Sequence, residues 1–165
     1  MAAIRSRSGK NAARPGPTPP RGARVAVVVA SWNSEITKRL ASGAVEVARK
    51  AGAKVDRFDV AGAFELPAAV ALLGDTGRYD AIVPLGCLIK GETPHFGVLA
   101  DAVAGGLMQL SLAYPAAIPF GVITCDTAAQ ARERSGGRKG NKGAEAMEAA
   151  LAMVAIRAQV KRAST

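Results

Sequence analysis

From Arg24 onward the chain alternates short apolar runs with longer stretches whose apolar positions recur every three or four residues. Arg24–Ala30 (RVAVVVA) is a continuous β-branched run, the pattern of a strand covered on both faces. Ser34–Ala51 then sets Ile36, Leu40, Ala44 and Val47 at helical spacing. Asn33 or Ser34 can cap that helix, Glu35 suits the positive end of its dipole, and Gly52 stops it. Lys54–Val60 reads as a second strand, and Leu66–Leu73 as a short helix ended by Gly74. Tyr79–Gly86 (YDAIVPLG) is a third strand, with Pro84 as its one discordant residue. Thr93-Pro94 reads as a cap followed by a first helical proline, and the stripe Phe96, Leu99, Val103, Leu107, Leu110 and Tyr114 follows. Ile118–Cys125 is a fourth strand and Thr127–Ser135 a short helix. A glycine-rich link, Gly136–Gly140, leads to a last helix over about Gly143–Val160, with Met147, Leu151, Val154 and Ala158 on one side.

Four strand-then-helix alternations imply βαβ units. The expected fold is α/β: a three-layer α/β/α sandwich over residues 23–162, whose four-stranded parallel sheet, in flavodoxin-like order, is flanked by helices. Residues 1–22 have a different texture. Pro15, Pro17, Pro19 and Pro20 exclude a regular helix or central strand, so this segment reads as a disordered or extended basic arm.

Composition sharpens the picture at four points. With 165 residues, 49% of them apolar, one domain can bury a core without metal or disulfide staples. The formal charge of +9 is uneven. Met1–Arg24 carries Arg5, Arg7, Lys10, Arg14, Arg21 and Arg24 and no acid, while the rest is close to balanced, which argues against nucleic-acid binding by the domain itself. Two cysteines, Cys87 and Cys125, exclude a disulfide-dense secreted scaffold and read as buried small apolar residues. No apolar run approaches the ~20 residues of a membrane span, and no signal-peptide stretch opens the chain, so a cytoplasmic protein without a membrane partner is expected.

Ligands of open parallel sheets gather beyond the carboxyl ends of the strands. Ser31-Trp32-Asn33 follows the first strand, Gly62-Ala63-Phe64-Glu65 the second, and Cys87 through His95 the third. Asp126 follows the fourth, with Arg132, Arg134, Arg138, Lys139 and Lys142 close behind. The lone Trp, the lone His and a cationic cluster thus fall at one edge. Trp32 offers a flat face for a heteroaromatic ring, or else a lid on the first helix. Glu65 can accept hydrogen bonds from a polyol or ring N–H, or else serves as a helix-start acid. Gly91-Glu92-Thr93, with free backbone N–H groups before a helix, is an anion site of a weak kind. Arg134 reads as a phosphate clamp or as a cation on the last carbonyls of its helix, and Lys142 on the same edge favours the clamp. Histidine's ordinary pKa, about 6.5, suits proton transfer near neutrality, which singles out His95. No metal-ligand spacing is present, nor a Ser/His/Asp or Cys/His signature. Stacking, phosphate binding and proton transfer remain.

Five blocks together resemble one family. Ser31-Trp32-Asn33 with Ile36-Thr37, Gly62-Ala63-Phe64-Glu65-Leu66-Pro67, Gly91-Glu92-Thr93-Pro94-His95-Phe96, Pro119-Phe120-Gly121-Val122-Ile123-Thr124 and Asn141-Lys142-Gly143 look like the signature blocks of the 6,7-dimethyl-8-ribityllumazine synthases, in order and spacing, from about Arg24 to Val160. The resemblance implies the penultimate step of riboflavin biosynthesis: a transferase condensing 5-amino-6-(D-ribitylamino)uracil with 3,4-dihydroxy-2-butanone 4-phosphate, with no cofactor and no metal. It implies that Trp32 stacks on the pyrimidine and that Ala63, Phe64 and Glu65 line the pyrimidine and ribityl site. Cys87, Leu88 and Ile89 flank the ring, and Phe120 caps it. Glu92, Thr93, Arg134 and Lys142 surround the phosphate, and His95 is the catalytic histidine.

It further implies a homo-oligomer with sites shared between neighbours. Pentamers are expected, with a hollow sixty-subunit shell, an extra N-terminal strand pairing with a neighbouring subunit, and association with riboflavin synthase left open. The chain departs from the pattern in four places: Trp32 stands where Phe is frequent, Lys90 where Arg is frequent, Ala61 where a proline usually precedes Gly62, and the arm is additional. Two rival readings are a flavodoxin-like binding or signalling module without chemistry and an RNA-binding adaptor working through the arm.

Overall fold

The computed structural model describes residues 21–164. The basic arm, apart from its last residues, and any strand it lends to a neighbour lie outside the described residues. β1 (Arg24–Ala30) is apolar on both faces: Val25, Val27 and Val29 face one layer, Ala26, Val28 and Ala30 the other, and all are buried. β2 (Lys54–Val60) and β3 (Ala81–Ile89) pair with it in parallel on its two sides, and β4 (Gly121–Cys125) pairs with β3, giving the order β2-β1-β3-β4. α1 (Ser34–Lys50) and α5 (Lys142–Ala163) cover one face, where Leu40, Ala44, Met147 and Leu151 pack on Val27, Val83 and Leu85; the short α4 (Ala128–Arg134) adds Ala131. α2 (Leu66–Asp75) and α3 (His95–Ala113) cover the other, where Leu66, Val70, Val103 and Leu107 meet Val28 and Ile82. This is the expected three-layer α/β sandwich.

Several boundaries differ from the expectation, each for a local reason. β3 starts at Ala81 and runs past Gly86 to Ile89, because Cys87 and Ile89 pair with Ile123 and Cys125 of β4. Pro84 is tolerated inside it. Ile82, two residues earlier on the same side, donates its N–H to the Ala117 carbonyl (2.9 Å), whereas β4 begins only at Gly121, so no ladder bond is owed where Pro84 lacks its donor. Pro119 lacks one as well, and Ile118–Phe120 is not strand.

Gly74 does not end α2. A Cβ there would lie 2.8 Å from the Tyr114 ring, so the glycine makes room for packing, and the turn is made by Gly77 at φ +60°. Thr93 does not cap α3, which starts at His95 after Pro94. Asn33 sits at the N-cap of α1 but makes no side-chain cap. Thr127 does cap α4, its hydroxyl accepting from Gln130 N–H (3.2 Å). The Gly136–Gly140 link closes as a small hairpin of β5 (Ser135–Gly137) and β6 (Gly140–Asn141), with Gly136 and Gly140 at positive φ.

α3 also revises the expectation that nothing approaches a membrane span: its 19 residues are long and apolar enough to cross a bilayer by length and composition. In the fold it lies on the sheet with Val103 and Leu107 buried, and Val98, Met108 and Leu112 remain exposed.

α1 and α5 approach as closely as backbones allow. Asn141 caps α5 by accepting from Gly143 N–H (2.9 Å) and Ala144 N–H (3.1 Å), and its amide donates to the Arg39 carbonyl (2.8 Å) across the gap. A Cβ on Gly143 would collide with the Leu40 backbone. Gly143→Ala gains at most ~1 kcal/mol of helix propensity against an overpacking cost that a backbone clash puts at about 3 kcal/mol, so thermal melts at matched protein concentration should show Tm lowered by roughly 4–12 °C. An unchanged or higher Tm would mean the two helices have room to part.

Candidate active site

The ends of β1, β2 and β3 lie side by side because the three strands run parallel. Past β1, Ser31 N–H donates to the Val60 carbonyl (2.8 Å) and Trp32 N–H to the Ala61 carbonyl (3.1 Å), so this tip continues the ladder along β2. The turn at Ala61 is therefore tied through its carbonyl. Asn33 Nδ2 donates to the Cys87 carbonyl (2.9 Å), tying the same tip to β3.

A cleft of about 620 Å³ opens between these tips and the start of α3. Trp32 lines it from β1, Ala63, Phe64 and Glu65 from the turn after β2, Cys87, Leu88 and Ile89 from the end of β3, and Thr93 and His95 from the loop and first turn of α3. His95 is the first residue of that helix. The indole of Trp32 is 76% exposed and the Phe64 ring 62%, apolar surface left facing solvent at the mouth of a concavity. Glu92 lies exposed on the same loop but lines no part of the cleft.

Three residues expected at the same site stand elsewhere. Phe120, Arg134 and Lys142 line a second hollow of about 420 Å³, formed by β4, the end of α4 and the start of α5. The cationic cluster shares the sheet edge with the Trp and His but not their cavity. Chain reading also missed Asn33, Val98, Leu99 and Ala102 as lining of the main cleft. Leu99 belongs to the core stripe of α3 and Val98 and Ala102 each fall one position before a stripe residue, and the exposure of Val98 is the trace that could have revealed them.

The charged groups are already partnered in ways that bear on their use. Glu65 Oε2 accepts from Gly62 N–H (2.9 Å) and closes a 3-10 turn over Ala63–Glu65, the plain helix-start role. A carboxylate has about four acceptor positions, so capacity is left for a hydroxyl in the cleft. Arg134 Nη1 donates to the Gln130 carbonyl (3.3 Å), the plain helix-end role, and has no carboxylate at ion-pair range among the described residues. Lys142 Nζ pairs with Glu145 at 2.6 Å. Among the described residues no three of His, Cys, Asp and Glu gather where they could hold a metal ion.

A family model described as 6,7-dimethyl-8-ribityllumazine synthase matches residues 22–158. The 6,7-dimethyl-8-ribityllumazine synthase of Corynebacterium glutamicum strain R is 46% identical over 142 residues, covering 85% of this chain and 88% of that relative. That of Corynebacterium efficiens is 47% identical over 142 residues, with 85% and 88% covered. That of Anaeromyxobacter sp. strain Fw109-5 is 44% identical over 133 residues, with 79% and 82% covered.

Cys87 lines the cleft, so its chemistry matters. Burial, with a smaller contribution from Cys125, pushes its thiol from 9.0 up to about 12. Burial also raises Cys125, and the nearby Arg134 charge opposes that. Neither is a thiolate near neutrality, so neither is an activated nucleophile. The raised value also sets a pH dependence. Between the ordinary 9.0 and the folded value of about 12, the unfolded thiol ionises while the folded one stays protonated. Stability from Cys87 is therefore complete below pH ~9 and lost as pH climbs toward ~12. Titrations of unfolding from pH 8 to 11 should show a loss that Cys87→Ala reduces. Native protein at pH 8 should resist iodoacetamide at both cysteines and react once denatured; fast native alkylation of Cys87 would contradict the burial argument.

Proposed function

Because the chain belongs to the 6,7-dimethyl-8-ribityllumazine synthase family, we propose how its residues divide the work of that family's reaction. The chain is a transferase of riboflavin biosynthesis that condenses 5-amino-6-(D-ribitylamino)uracil with 3,4-dihydroxy-2-butanone 4-phosphate, giving 6,7-dimethyl-8-ribityllumazine, phosphate and water. In this reading the uracil ring lies on Trp32 with Phe64 beside it, and the backbone of Cys87–Ile89 runs along its edge. The unfilled acceptor positions of Glu65 take ribityl hydroxyls. The phosphate of the second substrate sits near the N-terminus of α3, on the backbone of Glu92 and on Thr93, where helix N–H groups favour an anion. His95, the first residue of that helix, lies beside both.

The steps then follow from proton bookkeeping. The uracil amine adds to the ketone, and water leaves as the imine forms. Phosphate is eliminated, the product enolises, and the second amine closes the ring on the remaining carbonyl as a second water leaves. Each stage moves a proton, the task assigned to His95. Much of the acceleration comes from holding two reactants in register, since positioning alone supplies effective molarities of roughly 10⁵ M or more.

The observation that carries the reading is the split between the two cavities. The cleft with the stacking and proton-transfer groups has no Lys or Arg in its lining, although one substrate is a phosphate ester. Phe120, Arg134 and Lys142 line a hollow with no histidine. Each is half of a site, and the arrangement is completed when the hollow of one subunit closes on the cleft of another. The exposed Val98, Met108 and Leu112 of α3 give a second copy an apolar face to cover. The assembly proposed is a homopentamer with interfacial sites, working in the cytoplasm on small-molecule substrates.

His95→Ala should lower kcat by about ten- to a hundredfold yet stay above the uncatalysed rate, because positioning survives the loss of the proton shuttle. Arg134→Ala should raise KM for the phosphorylated substrate and leave KM for the pyrimidine near wild type. Both are read from lumazine absorbance and fluorescence, and a His95→Ala enzyme with unchanged kcat would remove that residue's role. Mixing the two variants unfolded and refolding them together tests the shared site. Turnover at low phosphorylated substrate should rise above either parent, because some interfaces then combine an intact His95 with an intact Arg134. No recovery in assemblies shown to be mixed would mean that each chain builds its own site.

A further inference from the structure

Asn33 carries three structural features at once. Among the described residues it is the one non-glycine with positive φ, at 56°. Its carbonyl accepts from Ile36 N–H (2.9 Å) and Thr37 N–H (3.1 Å), so α1 is opened through its backbone and its side chain is released from capping. That side chain donates from Nδ2 to the Cys87 carbonyl at 2.9 Å, a part-buried bond across 54 positions of sequence. Its neighbour Trp32, 76% exposed, has only the backbone bond to Ala61 to orient it.

We infer that Asn33 is a positioning residue: its amide sets the distance between the Trp32 wall of the cleft and the Cys87–Ile89 wall opposite, and so the gap into which the pyrimidine ring fits. This rests on the reading that Trp32 stacks on that ring. Residue chemistry explains the choice of asparagine. The left-handed backbone is open at low cost to Gly, Asn and Asp, and of these only Asn brings an N–H donor of the right reach. Glycine keeps the backbone and loses the tie. Aspartate keeps shape and backbone but turns an oxygen toward the Cys87 carbonyl oxygen. Stacking contacts weaken over a fraction of an ångström, so slack at this bond is felt by the ring.

The chain has a single tryptophan, so the Trp32 wall reports on itself. Asn33→Gly and Asn33→Asp, made in the full-length enzyme, should raise KM for the pyrimidine by roughly three- to tenfold, the range one lost hydrogen bond supports, with KM for the phosphorylated substrate within about twofold. In both, tryptophan anisotropy should fall and emission shift, and Asn33→Gln should not rescue, its extra methylene misplacing the amide in the left-handed backbone. The inference is overturned if both variants keep wild-type pyrimidine KM and anisotropy. It is equally overturned if kcat and Tm fall and both KM values rise together with anisotropy unchanged, the mark of a purely structural role. Trp32→Ala separates the premise from the inference. If it leaves pyrimidine KM unchanged, stacking is wrong, and the anisotropy of the Asn33 variants alone decides whether the tie holds the indole.

Discussion

A strand that is apolar on both faces has to be covered on both sides, and this molecule is arranged around that demand. β1 buries valines and alanines into two separate layers. Nothing short of helices above and below satisfies it, and helices in those positions require crossover connections, which keep the strands parallel. Parallel strands finish at one edge. The chain therefore returns to the same edge after β1, β2, β3 and β4, and the side chains free to meet a ligand are those just past each finish. The site is in this sense a consequence of hydrophobic coverage of β1, and its precision is inherited from the registers of the β1–β2 and β1–β3 pairs.

Because the demand is written in the residues themselves, strand order class, layers and edge were readable from the chain. What was unreadable was local and competitive. Gly74 has the composition of a stop signal, but it makes room for the Tyr114 ring, packing across the chain that no window of sequence contains, and Tyr114 also donates to Asp75 (2.6 Å). Pro84 was discordant within the third strand, yet it falls where β4 has not begun. Asn33 looked like a cap by residue type, and its side chain was claimed instead by a carbonyl on another strand. In each case a non-local partner outbid a local propensity. Of the candidate site, the groups on the tips of β1 through β3 line one cleft, Glu92 excepted, as strand topology implies. The groups past β4 were placed on the correct edge, while their separation into a second hollow depends on how α4, the small hairpin and α5 fold back, which has no periodic signature.

That separation has an electrostatic side. In the proposed reading, a phosphate ester entering a cleft without a cation would meet only helix N–H groups and a threonine, worth tenths to about one kcal/mol at an exposed terminus. A guanidinium brought to it adds charge-assisted, bidentate hydrogen bonds of a stronger kind. Arg134 is suited to being lent. It has no carboxylate partner in its own chain among the described residues, so recruiting it breaks no ion pair, only a 3.3 Å contact with a carbonyl. Lys142 is less free, held by Glu145. Of these two cations, then, Arg134 is the one whose approach to a neighbour's cleft, in the shared site proposed above, would cost less.

The same economy of partners explains why so few residues in the cleft are reactive in themselves. Both thiols are held protonated by burial, Glu65 spends one oxygen on a backbone N–H, and a single imidazole stands at the start of α3. The remaining lining is shape: two exposed aromatic rings, backbone at the end of β3, and small residues of α3. A reaction between an amine and a ketone that proceeds by successive proton transfers needs little more than register and one shuttle, and it is tolerant of modest losses in either. Such a site is sensitive instead to the spacing of its walls. Those walls are two strand tips, and strand tips are where a sheet's ladder bonds run out. Bonds made beyond the ladder therefore determine the gap: Ser31 to Val60 and Trp32 to Ala61 on one side, and on the other the single amide of Asn33 reaching Cys87.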